Sequence, residues 1–330
     1  MRVGVIGTGI AGSSHLFDLA SNDRFTIAAV CARRRHHAEE AARLYGVPAV
    51  FDDPAEMLAA QRLDAVVVAT PPDVTPAVVR MAQRAGLPAL VDKPAAPTAG
   101  MLDQPGQARV PAAYTVIAYN RRYQRHVYHA RDLLTEADAG TLTRVECEWA
   151  GPFTDRYAFG DTYRRHVGWG NGVVLDTASH ILDTLAFLGI TPLVIEDAHL
   201  TRGPRGADVA ASIRLHSSGK AAPVSVRIND APGDDTWTIV INSTAGTIAL
   251  TRTALRGTWH ARPVYTAASD IRRPVDDLLA IAEHQPTLGA SLPEAVATLK
   301  LIDQVRHMAA GRRPWQRPRA KALGRLNGAC

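Results

Sequence analysis

Cysteine is scarce in this chain. Cys31, Cys147 and Cys330 form an odd set, far apart and without metal-ligand spacing. That excludes a disulfide framework and suits a reducing compartment, so a cytoplasmic location is expected. Long apolar runs are missing too, since no window supplies the roughly 18 apolar residues that a membrane helix needs. The short apolar run after Met1-Arg2 is cut by Gly7-Thr8-Gly9 and followed by Asp18 and Asp23, which reads as a buried first strand, not a signal peptide. The last twenty positions lack acidic residues but carry Arg312, Arg313, Arg317, Arg319, Lys321 and Arg325. These six charges exceed the whole chain's net +5, so the remainder is near neutral. A basic tail can bind nucleic acid, but a solvated, frayed terminus is the plainer reading.

What is present is ordinary for a folded protein, with 46% hydrophobic and 21% charged residues in 330 positions. That length suits two domains. Strands are expected at Arg2–Ile6, Phe25–Val30, Ala49–Phe51, Asp64–Thr70, Pro88–Val91 and Tyr114–Ala118. Helices fall between them: from the glycine turn to about Ala20, over Arg34–Tyr45, after Asp53-Pro54 and over Val74–Ala85. This alternation predicts a doubly wound parallel sheet covered on both faces. After about Asn120 the rhythm changes to a helix over Tyr123–Ala137 and strands at Thr143–Trp149, Leu193–Leu200, Ala207–Leu215, Val224–Asn229, Trp237–Asn242 and Thr247–Thr251. Several alternate polar and apolar residues, which predicts a mostly antiparallel sheet with one open face. Helices are expected at Val173–Leu188 and at Leu292–Ala309, the latter capped by Gly311. Ala96–Ala112 is unreadable. The expected division is a dinucleotide-binding domain over 1–120 and a second domain over 121–330, with the helix over 292–310 packing back on the first and 316–330 as the basic tail.

Gly7-Thr8-Gly9-Ile10-Ala11-Gly12 follows the first strand and opens a helix. In that setting Gly7 permits a tight turn, Gly9 lets the backbone approach a pyrophosphate, and Gly12 permits close helix–strand packing. An NAD-binding fold usually carries Asp or Glu about twenty residues on, against the ribose 2′-hydroxyl. Here the second strand ends at Cys31-Ala32 and runs into Arg33-Arg34-Arg35. Guanidinium groups suit a 2′-phosphate, so NADP(H) is favoured and NAD(H) remains possible, with Arg33 the nearest contact and Arg34 beside it.

Further elements in order along the chain are Thr70-Pro71-Pro72, Asp92-Lys93-Pro94, Asn120-Arg121-Arg122-Tyr123 and the Gly170–Asp183 segment GNGVVLDTASHILD. With the glycine turn, they resemble the glucose–fructose oxidoreductase and inositol dehydrogenase family, often written Gfo/Idh/MocA. Ligands of open α/β sheets bind beyond the carboxyl ends of the strands. Thr70 and Lys93 sit at such ends and should face a nicotinamide, with Lys93 donating to a substrate oxygen. Asp176 and His180 lie four apart on one helix, and an imidazole is a natural proton carrier near neutral pH. The resemblance implies that Lys93, Asp176 and His180 form the catalytic set, and that Lys93-Pro94 is cis. It also supports Arg122 on the substrate side, while Tyr123, Tyr163, Arg164 and Trp169 are candidates from their place in the chain. No metal is expected, because no third ligand has the right context. Two departures stand out: Asp92 replaces the family's usual Glu, and no histidine follows the Pro-Pro turn.

The expected activity is hydride transfer between a nicotinamide and a carbon–oxygen centre of a sugar, keto-sugar or cyclic polyol. Alternatives are reduction of a C=N bond on the same fold, a nicotinamide-sensing protein without turnover, and nucleic-acid binding through the tail. The resemblance also implies homo-oligomers built through the open sheet face.

Overall fold

The computed structural model describes residues 1–103, 114–158 and 172–311. Up to Ala118 strands and helices alternate: β1 (Arg2–Ile6), α1 (Ile10–Ala20), β2 (Thr26–Cys31), α2 (Arg35–Tyr45), β3 (Val50–Phe51), α3 (Pro54–Ala60), β4 (Ala65–Val68), α4 (Thr75–Ala85), β5 (Ala89–Asp92), α5 (Ala99–Leu102) and β6 (Thr115–Ala118). A 3₁₀ turn over Asn120–Tyr123 leads into α6 (Arg125–Thr135), β7 (Leu142–Gly151) and α7 (Phe153–Ala158). A π-helical turn over Val174–Ala178 runs directly into α8 (Ser179–Phe187). The strands β8 (Leu193–Arg202), β9 (Asp208–Ser217), β10 (Ala222–Asp230), β11 (Thr236–Ser243), β12 (Gly246–Thr251), β13 (Ala254–Trp259) and β14 (Arg262–Ala267) follow. The described chain closes with α9 (Asp276–Ala282), β15 (Ala290–Ser291) and α10 (Leu292–Ala310).

The first sheet has the order β15-β6-β5-β4-β1-β2-β3. β1 to β6 run parallel. This is the doubly wound sheet that the near-continuous apolar runs predict, because helices on both faces bury most positions of the central strands β1, β4, β5 and β6. Val3, Val5, Val66, Val67 and Leu90 are fully inaccessible, and burying each such side chain contributes about 1.5–3 kcal/mol. The order reverses between β1 and β4, opening a crevice beyond their carboxyl ends.

The second sheet has the order β14-β13-β12-β11-β7-β10-β9-β8. Only the β7–β10 pair is parallel; the others are antiparallel. One face is apolar and buried, through Val145, Cys147, Ile213, Leu215, Val226 and Ile239. The sequence reading missed β13 and β14, whose patterns are broken by Gly257 and Pro263. They form a tight hairpin in which Trp259 pairs with Arg262. Its two turn residues, His260 and Ala261, both have positive φ, as a two-residue hairpin with the right-handed strand twist requires.

Two expectations need correction. From 121 onward only the helix over 292–310 is expected to pack back on the first domain, yet Val275, Leu278 and Ile281 pack with Val3, Val5, Leu16 and Leu90, and β15 completes the first sheet antiparallel to β6. The chain thus returns to the dinucleotide fold before α10, which itself packs against α5 and β6 on one side and α8 and β8 on the other. The helix expected over Tyr123–Ala137 is a 3₁₀ turn followed by α6. α10 ends with Gly311 at its C-cap as expected, but with φ at −79° and not in the left-handed conformation. α10 is fixed at its start, where Ser291 and Glu294 form a reciprocal capping box.

Candidate active site

The glycine turn lies at the reversal point of the first sheet. Gly7 has a φ of +98°, its N–H donates to the Cys31 carbonyl at 2.8 Å, and a Cβ there would run into the Ala69 carbonyl. A Cβ on Gly12 would strike the Gly7 carbonyl, whereas one on Gly9 would meet nothing within 4 Å. Gly7 and Gly12 are therefore demanded by packing, and Gly9 by the open space that a pyrophosphate would fill. Gly9 caps α1 without a side-chain hydrogen bond, and the first turn holds no acidic residue. Its N–H groups and dipole are left for an anion. Beside them Ile10 is exposed, and the Thr8 hydroxyl is buried without a partner among the described residues. These features fit a dinucleotide.

The rest of the expected cofactor rim divides clearly. Arg33 and Arg34 are exposed between β2 and α2. Cys31 contributes only its backbone, for burial, with Asp53 and Asp52 nearby, pushes its thiol up to about 12. At the end of β4 the Thr70 hydroxyl meets that of Thr75 at 2.8 Å, and Pro71 accepts from the N–H groups of Val74 and Thr75. Asp92 faces a residue that the sequence reading passed over: His15 of α1, whose Nε2 lies 3.6 Å from Asp92 Oδ1. The available signal was spacing, because His15 continues the buried stripe of Gly12, Leu16 and Leu19.

Lys93 and Asp176 meet across the two halves of the fold. Lys93 Nζ donates to Asp176 Oδ1 at 2.8 Å and to its backbone oxygen at 3.3 Å. Both side chains are about seven-eighths buried, at 15% and 13% exposure. An ammonium has three donors, so this pairing leaves capacity for a substrate oxygen. The peptide bond Lys93-Pro94 is cis. Asp176 stands on the π-helical turn and His180 begins α8 one turn on, so the expected single helix over Val173–Leu188 changes type between them. Gly172 explains the glycine-rich approach. With φ at +148°, it lies where a Cβ would overlap the Asp208 carboxylate, and that carboxylate accepts from the Val174 N–H at 2.7 Å. The His180 ring is enclosed by Tyr119, edge-on at 6.0 Å, and by Trp149 at 5.8 Å.

Two further residues escaped the sequence reading. Tyr157, in α7, donates its hydroxyl to Asp176 Oδ2 at 3.1 Å. Arg121 is buried between the rings of Trp149 and Trp237, at 4.3 and 4.1 Å. Burial lowers its guanidinium to about 9, which still leaves it charged at neutral pH. Its Nη1, like the Trp149 indole nitrogen, has no hydrogen-bond partner among the described residues.

Arg122 and Tyr123, expected on the substrate side, lie in the interior. Both are buried, and their polar groups are committed inside the protein. Arg122 grips Asp183 in a bidentate pair through Nε and Nη2, at 2.7–3.1 Å, and reaches Glu294 at 3.0 Å. The Tyr123 hydroxyl donates to the inaccessible Asp277 at 2.7 Å. The Nε, Nη1 and Nη2 of Arg122 and the Tyr123 hydroxyl are each engaged by a carboxylate; the two adjacent arginines look alike in sequence, and only packing separates them. Tyr163, Arg164, Trp169 and the basic tail lie outside the described residues.

Comparison with known proteins agrees with this layout. Residues 1–110 match the model of an oxidoreductase family with an NAD-binding Rossmann fold, and residues 127–249 match the GFO/IDH/MocA C-terminal domain. D-apiose dehydrogenase of Paraburkholderia graminis is 27% identical over 67% of this chain and 58% of its own length, so the match spans little more than half of that relative. The rhizopine catabolism protein MocA of Rhizobium meliloti is 26% identical over 92% of this chain and 93% of its own. The solved structure of a levoglucosan dehydrogenase in complex with NADH superposes with a TM-score of 0.82 at 20% identity, covering 94% of this chain and 97% of that one. No helix among the described residues is long and apolar enough to cross a membrane. With both halves of the architecture matched, this chain belongs to the Gfo/Idh/MocA family of nicotinamide-dependent oxidoreductases.

Proposed function

We propose that the protein oxidises or reduces a carbon–oxygen centre of a sugar-like or polyol-like substrate, using NADP(H) in preference to NAD(H). The observation that carries this reading is the Lys93–Asp176 ion pair, which joins the rim of the dinucleotide fold to the turn that presents His180. The Gly7–Gly12 turn would hold the pyrophosphate of a dinucleotide, whose nicotinamide would supply the hydride acceptor or donor. In oxidation the substrate's C–H pair leaves as hydride, and His180 takes the hydroxyl proton; in reduction His180 returns it. Lys93 donates to the same oxygen and stabilises the negative charge that grows on it. Tyr119 and Trp149 give the site an aromatic wall, and we place Arg121, not Arg122, on the substrate side. The family relatives named for apiose, galactose and inositol dehydrogenation support a sugar or polyol.

The cofactor preference rests on Arg33 and Arg34 standing where an NAD-binding fold carries an acid. The levoglucosan and WlbA dehydrogenase structures hold NADH, so the proposed preference rests on this chain's own residues alone. Titrating cofactor fluorescence is expected to show tighter binding of NADPH than NADH. Arg33→Ala should weaken NADPH about 10-fold or more, the worth of a charge-assisted hydrogen bond, and leave NADH nearly unchanged. Equal affinity of the wild type for both would remove the preference. The activity is tested by screening D-apiose, D-galactose, an inositol and levoglucosan with each oxidised cofactor. Tight cofactor binding without turnover on any of them would favour a nicotinamide-sensing protein. A cytoplasmic site of action and homo-oligomers formed through the outer face of the second sheet complete the proposal.

A further inference from the structure

We propose that Tyr157 is a positioning residue that fixes the Asp176 carboxylate and, through it, the ammonium of Lys93. This rests on the oxidoreductase reading of the same site. Among the described residues the two oxygens of Asp176 have different partners: Oδ1 takes Lys93 Nζ at 2.8 Å, and Oδ2 takes the Tyr157 hydroxyl at 3.1 Å. A carboxylate held by one ammonium can still turn about its last bond, since terminal torsions of this kind are broad. A second donor on the opposite oxygen stops that rotation. A phenol is suited to the task, because it places a hydrogen-bond donor at the end of a rigid ring.

The hydroxyl is also delivered from a fixed place. Tyr157 is almost fully buried, and its ring stacks on Phe153 with an interplanar angle of 18°. The short helix α7 that carries both is fastened to the second sheet. Thr154 donates to Asp230 through its N–H at 2.9 Å and its hydroxyl at 2.6 Å, and Arg156 pairs with Asp235 at 2.7 Å. Lys93 comes from the first sheet and Asp176 from the turn before α8, so α7 adds a third anchor from the end of β7. The orientation of Lys93 is therefore referenced to the second sheet as well as to its own strand.

The test is Tyr157→Phe, which keeps the ring and its packing and removes only the hydroxyl. On whichever panel sugar the wild type turns over, kcat is expected to fall about 10-fold, the worth of a hydrogen bond to a charged group. KM should change little, because the lost effect concerns charge developing in the transition state. Tyr128→Phe serves as a matched control and should leave both constants alone. The second measurement needs no substrate. The chain has four lysines, Lys93, Lys220, Lys300 and Lys321, so proton–nitrogen spectra of the ammonium groups are simple, and Lys93→Arg assigns the Lys93 signal. Tyr157→Phe is expected to move or broaden that signal while Lys220 and Lys300 stay in place. An unmoved Lys93 signal overturns the proposal whatever the rates do. So does a raised KM at constant kcat, which would make Tyr157 a substrate contact. A moved signal in a protein that turns over no panel sugar would support the positioning role and count against the oxidoreductase reading alone.

Discussion

His180→Ala is expected to lower kcat by about 10²–10⁴, the range for loss of a placed proton-transfer group, while cofactor binding measured by fluorescence stays within about 2-fold of wild type. The imidazole is largely buried between Tyr119 and Trp149, so its removal leaves a cavity in place of the proposed base. Lys93→Ala is expected to cost about 10²–10³, as for a single donor aimed at developing negative charge. The two losses should be less than additive, because both act on one oxygen. Lys93→Arg is not a rescue: its planar fork cannot reproduce an ammonium that bonds both Oδ1 and the backbone oxygen of Asp176. Turnover undiminished in His180→Ala would remove the imidazole from the chemistry and leave the family's fold without its proposed proton carrier.

Arg122→Ala is expected to destabilise the protein by about 3–5 kcal/mol, read from denaturant unfolding, because it leaves the inaccessible Asp183 carboxylate uncompensated. Burial opposes the charge on Arg122, yet Asp183 and Glu294 raise its basicity well beyond the ordinary arginine range. Replacing both partners, as Arg122→Met with Asp183→Leu, should recover most of the loss, since an apolar pair carries no desolvation cost. The Glu294 arm adds a pH dependence. Burial works against that carboxylate, but Arg122 and the Ser291 hydroxyl and amide outweigh it and hold it below its ordinary 4.5. A carboxyl lowered by folding stabilises the folded state fully above its unfolded value, and the contribution is lost as pH falls through the folded value. Glu294→Gln should therefore flatten stability against pH below about 4.5 and change little near neutrality. A stability loss under about 1 kcal/mol for Arg122→Ala, with a raised KM, would return Arg122 to the substrate side.

The contrast between Arg121 and Arg122 shows where sequence reasoning stops. Both stand in Asn120-Arg121-Arg122-Tyr123, and the resemblance to the family favoured the second. In the fold the second is held by two carboxylates, while the first lies between two indole rings, its Nη1 without a partner among the described residues. Neighbouring residues on a 3₁₀ turn point in different directions, and what each meets is supplied by strands and helices far along the chain. Tyr157 and His15 were passed over for the same reason. Their partners, Asp176 and Asp92, are 19 and 77 positions away.

The amino-acid sequence by itself determined the glycine turn, the alternation of buried strands with amphipathic helices, the change to an open antiparallel sheet, and the four-residue spacing of Asp176 and His180. Those features are local: a period of two or 3.6 residues, or a glycine whose φ no other residue adopts cheaply, is written within a few positions. Only the tertiary structure decided which strands close the first sheet, that residues 275–291 return to it, and which polar groups are already satisfied. Pairing and satisfaction depend on contacts between distant segments, and no short window of the chain contains both members of such a contact.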